Sequence, residues 1–177
     1  MQGIKEKIKE SETSLMKEIG VKNSLASPKL VKVTLSSGIG KITDKKRKEL
    51  IIDRLAKIAG QKSIIRPAKK SIATFKVRMG DAVGVMVTLR GKKMYAFLDK
   101  LIHISIPRMR DFQGINPSAI DEMGNLTIGI KEHTIFPETS DEDIKDVFGL
   151  SITIVTTAKG KEDAYKFFKT IGVPLKK

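Results

Sequence analysis

Cysteine and tryptophan are absent from the 177-residue sequence, and aromatic residues make up only 5% of it. The lack of cysteine excludes disulfide bonds, thiolate metal sites and cysteine nucleophiles. With so few aromatic rings, we expect a core built from Ile, Val, Leu and Met. Long apolar runs are also missing, and residues 1–10 alternate charged with apolar side chains, unlike a signal peptide or a membrane span. The sequence therefore predicts a soluble, cytoplasmic protein.

Candidate catalytic groups are equally scarce. His103 and His133 are the only histidines, and neither stands at a spacing typical of metal ligands. The run Ser36-Ser-Gly-Ile-Gly-Lys41 hints at a phosphate-binding loop. It matches neither the P-loop nor the dinucleotide fingerprint, however, and a turn at the end of a strand explains both glycines. An enzyme acting on phosphorylated substrates needs a general base or a metal cluster, so we expect no catalytic residue, no metal and no cofactor.

Positive charge is abundant and unevenly distributed, with a net charge of +14. Residues 41–110 hold 19 Lys and Arg against 5 Asp and Glu, whereas the remaining 107 residues hold 15 of each sign. Lys and Arg near phosphates release condensed counterions, so this segregation favours a nucleic-acid partner. Charge that serves only solubility needs no such segregation. An anionic membrane is not expected, because no strongly basic helix has an exposed bulky apolar face.

The spacing of apolar residues predicts four main helices and five strands. Helices are expected over 3–19, from Asp44 to Gly60, from Gly91 to Pro107 and over 162–171. Strands are expected over 30–36, 63–66, 83–90, 126–131 and 152–157. Several strands alternate apolar with polar residues, so one face of the sheet should be uncovered. We predict a single α+β domain, residues 1–177, with an open, mainly antiparallel five-stranded sheet and helices packed on one face.

The uncovered face of the sheet is predicted to be small, polar and basic. Its residues are Lys32, Thr34, Ser36, Met86, Thr88, Arg90, Thr127, Gly129 and Lys131. Small side chains let a sugar-phosphate backbone approach closely, and the cations supply charge. Readers of single strands place stacking aromatics on their sheets, and none is found here. This pattern predicts docking against structured, double-helical RNA; the alternative is a solvated face that merely lacks acids.

A long basic loop is expected over residues 68–82. It mixes cations and hydroxyls with one aromatic ring: Lys69, Lys70, Ser71, Thr74, Phe75, Lys76 and Arg78. This mixture suits an RNA surface. The alternative is a disordered loop with Phe75 tucked into the core, and such loops often become ordered only on binding.

One acidic run interrupts the basic pattern: Glu138, Asp141, Glu142, Asp143 and Asp146. A metal site is one interpretation. A simpler one is that Ser140 caps a short helix, whose first turn favours acids. The same run would suit a basic protein partner.

Five separated stretches, in order, resemble one known family. The most specific is 58–76, Ile-Ala-Gly-Gln-Lys-Ser-Ile-Ile-Arg-Pro-Ala-Lys-Lys-Ser-Ile-Ala-Thr-Phe-Lys. The others are 87–91 with 94–99, 106–114, 129–132 with 135–138, and 152–158. On these residues the chain resembles the bacterial form of the fifth large-subunit ribosomal protein family over nearly its whole length.

The resemblance implies a structural role in the ribosome. Proteins of this family bind 5S rRNA and help fix it to the large-subunit rRNA in the central protuberance, with their exposed sheet face against the RNA. The corresponding rRNA-binding residues here are Lys32, Thr34, Ser36, Thr88, Arg90, Arg108, Arg110 and Lys131. The basic loop would approach the P-site tRNA. Another edge, for which the acidic run is a candidate, would meet a basic small-subunit protein at an inter-subunit bridge.

Two positions depart from the family pattern. Arg66 stands where the family usually has Thr or Ser, and Ser36-Ser37 stands where it usually has Asn-Met. The first would either add a phosphate contact or reflect a changed partner, and the second argues against a specific amide contact at the end of that strand. We expect a monomer within the ribosome; the alternative is a free-standing RNA chaperone that binds many structured RNAs.

Overall fold

The structure, a computed structural model, describes residues 3–42, 44–139 and 146–176. These residues form the helices α1 (Ile4–Ile19), α2 (Lys45–Ala59), α3 (Gly91–Lys100) and α4 (Lys161–Ile171). The strands are β1 (Leu30–Gly38), β2 (Ile64–Pro67), β3 (Ala82–Leu89), β4 (Leu126–Ile130) and β5 (Leu150–Thr156). Every predicted strand and main helix is present, and the ends agree within two residues except at α3. There the helix continues as a π-helical turn, Leu101–Ser105.

The strands form one open sheet in the order β2-β3-β1-β5-β4. β2 pairs antiparallel with β3, and Arg66 lies opposite Gly84. Pro67 was predicted to follow β2 but is its last residue. Its position on an edge strand explains this. Proline has no backbone N–H, and an edge strand tolerates it because no second neighbouring strand needs that donor. The prediction of an α+β fold with an open, mainly antiparallel five-stranded sheet is confirmed.

Contacts between residues divide the chain into two compact units. Unit 1 consists of residues 1–33, 90–128 and 153–177, and unit 2 of residues 34–89 and 129–152. Three boundaries fall inside β1, β4 and β5, and the fourth follows the last residue of β3. The single domain expected from the sequence stays a prediction.

Unit 1 contains three of the helices. α1 packs against α4 and α3, and its first turn is fixed because the backbone N–H of Ile4 donates to Asp99 Oδ1 at 2.8 Å. On α1, Ile4 and Leu15 are buried, while Ile8 and Ile19 are partly exposed. α4 adds buried aromatic side chains to a mainly aliphatic core.

Unit 2 contains α2, whose predicted ends are confirmed. Asp44 accepts a hydrogen bond from the backbone N–H of Lys46 at 3.0 Å, which satisfies one of the unpaired donors of the first turn. Gly60 ends the helix with a φ of 62°, a left-handed conformation that glycine adopts without strain. The buried face of α2 packs against β3. It thereby covers one side of that strand.

Burial alternates along the strands as the sequence pattern predicts. Val33 and Leu35 of β1 are fully buried, and so are Val87 and Leu89 of β3, while the residues between them are partly exposed. Val31 departs from the pattern, since 37% of it is exposed at the start of β1. No helix among the described residues is both long and apolar enough to cross a membrane.

Candidate nucleic-acid interface

The open face of unit 2 carries small hydroxylated side chains on β1 and β3, beside the partly exposed Met86. Thr34 and Ser36 of β1 and Thr88 of β3 are partly exposed, at the positions that alternate with the core. Ser36 Oγ lies 2.9 Å from Ser151 Oγ on β5, so the two hydroxyls form a cross-strand pair. Because a hydroxyl both donates and accepts, this face can bind phosphate oxygens and ribose hydroxyls alike.

The open face of unit 1 has a similar composition. Lys32 is partly exposed on β1, and Thr127 Oγ1 of β4 lies 3.2 Å from Thr153 Oγ1 of β5. The sequence prediction placed Lys32 and Thr127 on this face but missed the residues of β5. Their signal was present, because Ser151 and Thr153 alternate with buried isoleucines just as the other strands do.

Two predicted cations lie just beyond the strands. Arg90 is exposed one residue after β3, at the N-cap of α3, where its side chain makes no capping hydrogen bond. Lys131 is exposed one residue after β4. Arg108 and Arg110 are also exposed, but they lie on the turn that follows the π-helical segment and not in the sheet. The predicted rRNA-binding residues therefore occupy strands, strand ends and a turn.

The charged residues within the strands are all positive. None of the five strands contains Asp or Glu, whereas Lys32 and Arg66 lie within them. The strands also contain no aromatic residue, so they offer no platform on which unpaired bases could stack. Such a surface favours contact with the backbone of a folded nucleic acid over the reading of separate bases.

The predicted basic loop is an internally bonded extension of the β2–β3 hairpin, here called the basic arm (residues 68–81). At its base, the N–H of Ala68 donates to the Asp81 carbonyl at 2.8 Å. Nearer its tip, Ile72 and Val77 exchange backbone hydrogen bonds of 2.9 and 3.2 Å. The arm thus carries one isolated antiparallel bridge, between Ile72 and Val77, in place of a structureless loop.

Side chains also hold the arm together. Ser71 Oγ accepts a hydrogen bond from the N–H of Met79 at 2.9 Å, and Asp81 Oδ2 accepts one from the N–H of Arg78 at 2.8 Å. The turn closes through Lys76, whose φ of 53° is uncommon for a residue other than glycine. Backbone N–H groups that a flexible loop would leave to water are therefore satisfied within the arm.

The tip of the arm presents cations and apolar groups together. Phe75 is 73% exposed and Met79 is 72% exposed. The alternative in which Phe75 is tucked into the core is therefore wrong. The other predicted residues of the arm are likewise exposed: Lys69, Lys70, Ser71, Thr74, Lys76 and Arg78. An exposed aromatic ring beside several cations is a combination suited to nucleic acid.

The acidic run is only partly described. Glu138 is exposed at the 3₁₀ turn Pro137–Thr139, and Asp146 is partly buried. Asp141, Glu142 and Asp143, together with the expected cap Ser140, lie outside the described residues. Within the described part of the chain, no group of three or more His, Asp or Glu is placed to hold a metal ion.

Both histidines have structural surroundings. His133 is fully buried and stacks on Phe148, with ring centroids 4.1 Å apart. The Nδ1 atom of His103 lies 3.0 Å from the Asp99 carbonyl oxygen. Both histidine rings are therefore engaged in contacts within the fold.

Comparison with known proteins gives the class and then the family. Two family models match in succession, "Ribosomal protein L5" over residues 23–78 and the model of the C-terminus of the same ribosomal protein family over residues 82–175. The match defines a ribosomal protein, a class that is structural and not enzymatic. With relatives that are more than 40% identical over nearly its whole length, the chain belongs to the ribosomal protein L5 family. The family resemblance read from the sequence is thereby confirmed.

Three relatives illustrate the similarity, each named "Large ribosomal subunit protein uL5". The protein of Anaeromyxobacter sp. (strain Fw109-5) is 42% identical over 169 residues, which are 95% of this chain and 94% of the relative. That of Mycoplasma capricolum subsp. capricolum is 47% identical over 164 residues, 92% of this chain and 91% of the relative. That of Prochlorococcus marinus (strain NATL1A) is 44% identical, with 92% of each chain covered.

Proposed function

We propose that this protein is a structural component of the large ribosomal subunit in the cytoplasm, where it binds 5S rRNA and helps attach it to the large-subunit rRNA in the central protuberance. The observation that carries the proposal is the open sheet face, whose strands lack acids and aromatics and bear hydroxyls and cations. Membership of the ribosomal protein L5 family supports it. The relatives' names place those proteins in the large subunit.

The chemistry of the face favours a folded RNA over a single strand. Double-helical RNA displays phosphates and 2′-hydroxyls across its wide minor groove. In unit 2, Ser36 and Ser151 can each donate to a phosphate oxygen or bond to a 2′-hydroxyl. In unit 1, Thr153 can do the same, and Lys32 adds charge. A folded RNA with a fixed backbone shape is thus the partner that this surface fits.

Binding to 5S rRNA against a matched RNA tests the proposal. The isolated protein is titrated with 5S rRNA and with an unrelated folded RNA of equal length and charge, over a series of salt concentrations. We expect tighter binding of 5S rRNA, with the preference retained at high salt because shape-specific contacts do not depend on counterion release alone. Equal affinity for both RNAs would favour the alternative, a free-standing RNA chaperone.

We propose further that the basic arm contacts the P-site tRNA. Replacing both Lys69 and Lys70 with Ala removes two exposed cations without touching the arm's hydrogen bonds. We expect unchanged thermal unfolding of the protein. Large subunits that carry the variant should bind P-site tRNA several-fold more weakly, since each lost phosphate contact lowers affinity and salt dependence. Binding is measured by filter retention of labelled tRNA on reconstituted ribosomes.

A matched double variant in α1 provides the control. Lys5 and Lys9 are exposed on a helix of unit 1, so their replacement by Ala removes the same charge from a segment other than the arm. Loss of tRNA binding in this control, or full retention in the Lys69 and Lys70 variant, would remove the arm from tRNA binding.

The acidic run is proposed as the site of a protein contact. Glu138, Asp141, Glu142, Asp143 and Asp146 would meet a basic small-subunit protein at an inter-subunit bridge. Opposite charges at the rim of an interface speed association and fix its register more than they raise affinity. A contact of this kind suits a bridge that must shift as the subunits move. The protein would act as a monomer within the ribosome, without a membrane partner.

A further inference from the structure

The register of β2 places one guanidinium group on the open face of unit 2. Arg66 pairs with Gly84 of β3, two residues along from the pair formed by Ile64 and Met86. Directly opposed residues of an antiparallel pair project on the same side of the sheet. The neighbouring residue of β3, Val85, is buried on the helix-covered side, so Gly84 and Arg66 belong to the open side.

The geometry around Gly84 supports the same placement. A Cβ atom built on Gly84 would lie 3.9 Å from Arg66 Cβ and 3.5 Å from the carbonyl oxygen of Ser37. Those are ordinary contact distances, so glycine leaves room beside Arg66 that a side chain would otherwise fill. At Gly38, near the end of β1, a built Cβ would meet no atom within 4 Å. Gly84 thus leaves the backbone bare next to Arg66, and Gly38 leaves it bare at the end of β1.

Among the described residues, none competes for the Arg66 side chain. It is exposed, and within the described residues its guanidinium group makes no hydrogen bond or ion pair. None of the strands around it supplies an acid. A guanidinium group presents several N–H donors in a planar fork that matches two phosphate oxygens. Its charge and its donors are therefore both available to a ligand.

We infer that Arg66, beside the bare backbone of Gly84, is a phosphate-binding residue for the RNA that docks on the open sheet face. The inference rests on the proposed binding of 5S rRNA and names one residue and one contact within it. The missing side chain at Gly84 lets the sugar-phosphate backbone come close to the sheet. The Arg66 fork then binds two oxygens of one phosphate.

Two substitutions at Arg66 separate charge from geometry. Arg66→Thr keeps a residue suited to a strand and removes the cation. We expect the Kd for 5S rRNA to rise about tenfold. The negative slope of log K against log salt should become shallower by about 0.9. Arg66→Lys keeps the charge and therefore the slope. It weakens binding because a point charge replaces the planar fork of donors, but it does so less than Arg66→Thr because the charge remains.

The control removes one charge from the helix-covered side of unit 2. Lys46 is exposed on α2, and Lys46→Gln should leave both the Kd and the slope unchanged. Thermal unfolding of each variant checks that the fold persists. Unchanged affinity and slope in Arg66→Thr would overturn the inference, and so would a loss of slope in Arg66→Lys equal to that in Arg66→Thr.

The same titrations distinguish this inference from the proposed function. If Arg66→Thr binds normally while Arg90→Glu binds weakly, the RNA lies on the sheet but does not touch Arg66, and only the inference fails. If neither variant alters binding and 5S rRNA is not preferred over the matched RNA, the proposed function fails with it.

Discussion

Replacing Arg90 with Glu should lower the affinity of the protein for 5S rRNA, its proposed partner, by about ten- to a hundredfold. Arg90 is exposed where β3 meets α3, and its side chain makes no capping hydrogen bond. The change removes a cation next to the open face and adds a charge that phosphates repel. We also expect the negative slope of log K against log salt to become shallower by about 0.9 or more, because one phosphate contact is lost.

The fold should tolerate this reversal. Arg90 occupies the N-cap of α3 with extended backbone angles, and an acid near the start of a helix interacts favourably with the helix dipole. Thermal unfolding should therefore change little. If Arg90→Glu had a lower melting temperature, its loss of binding would be explained by unfolding and not by the change of charge.

Two further variants complete the test of Arg90. Arg90→Gln removes the charge without reversing it, and we expect an intermediate affinity. Lys46→Glu reverses a charge on α2 and should leave binding unchanged, since α2 covers the opposite side of β3. Equal effects of Arg90→Glu and Lys46→Glu would mean that net charge alone governs affinity, and the sheet face would lose its assigned role.

Local signals in the sequence predicted the fold well. Asp44 and Gly60 bound α2 as predicted, because a capping carboxylate and a left-handed glycine act through their immediate neighbours. The alternation along β1 and β3 located the core face for a similar reason. The π-helical turn after α3 could not be predicted, because it continues the helix with a different hydrogen-bond spacing that apolar periodicity does not encode.

The candidate site was harder to predict, since it depends on pairing between distant segments. Thr34, Ser36 and Thr88 could be placed on the open face from their own strands. The role inferred for Arg66 required the register of β2 on β3, which sets Gly84 opposite it. The basic arm needed the same information, because a run of polar and basic residues does not reveal that Ile72 and Val77 pair.

Adjacent residues of β1 should separate stability from RNA binding. Leu35 is fully buried, so Leu35→Ala leaves a cavity and lowers the free energy of unfolding by about 2–5 kcal/mol. Thr34 is partly exposed on the opposite face. Thr34→Glu should change the free energy of unfolding by about 1 kcal/mol or less, but it places an acid on a face whose strands have none. Unfolding in urea and titration with 5S rRNA measure the two effects.

The expected results cross over between the two variants. Leu35→Ala should unfold at a lower urea concentration yet, when folded at low temperature, bind 5S rRNA with nearly normal affinity. Thr34→Glu should unfold almost normally and bind 5S rRNA at least tenfold more weakly, because a desolvated carboxylate facing phosphates gains no partner. Thr34→Ala, which keeps the face neutral and small, controls for loss of the hydroxyl. Normal RNA binding by Thr34→Glu would place the RNA on another surface, because a face in contact with phosphates cannot accept a carboxylate without cost.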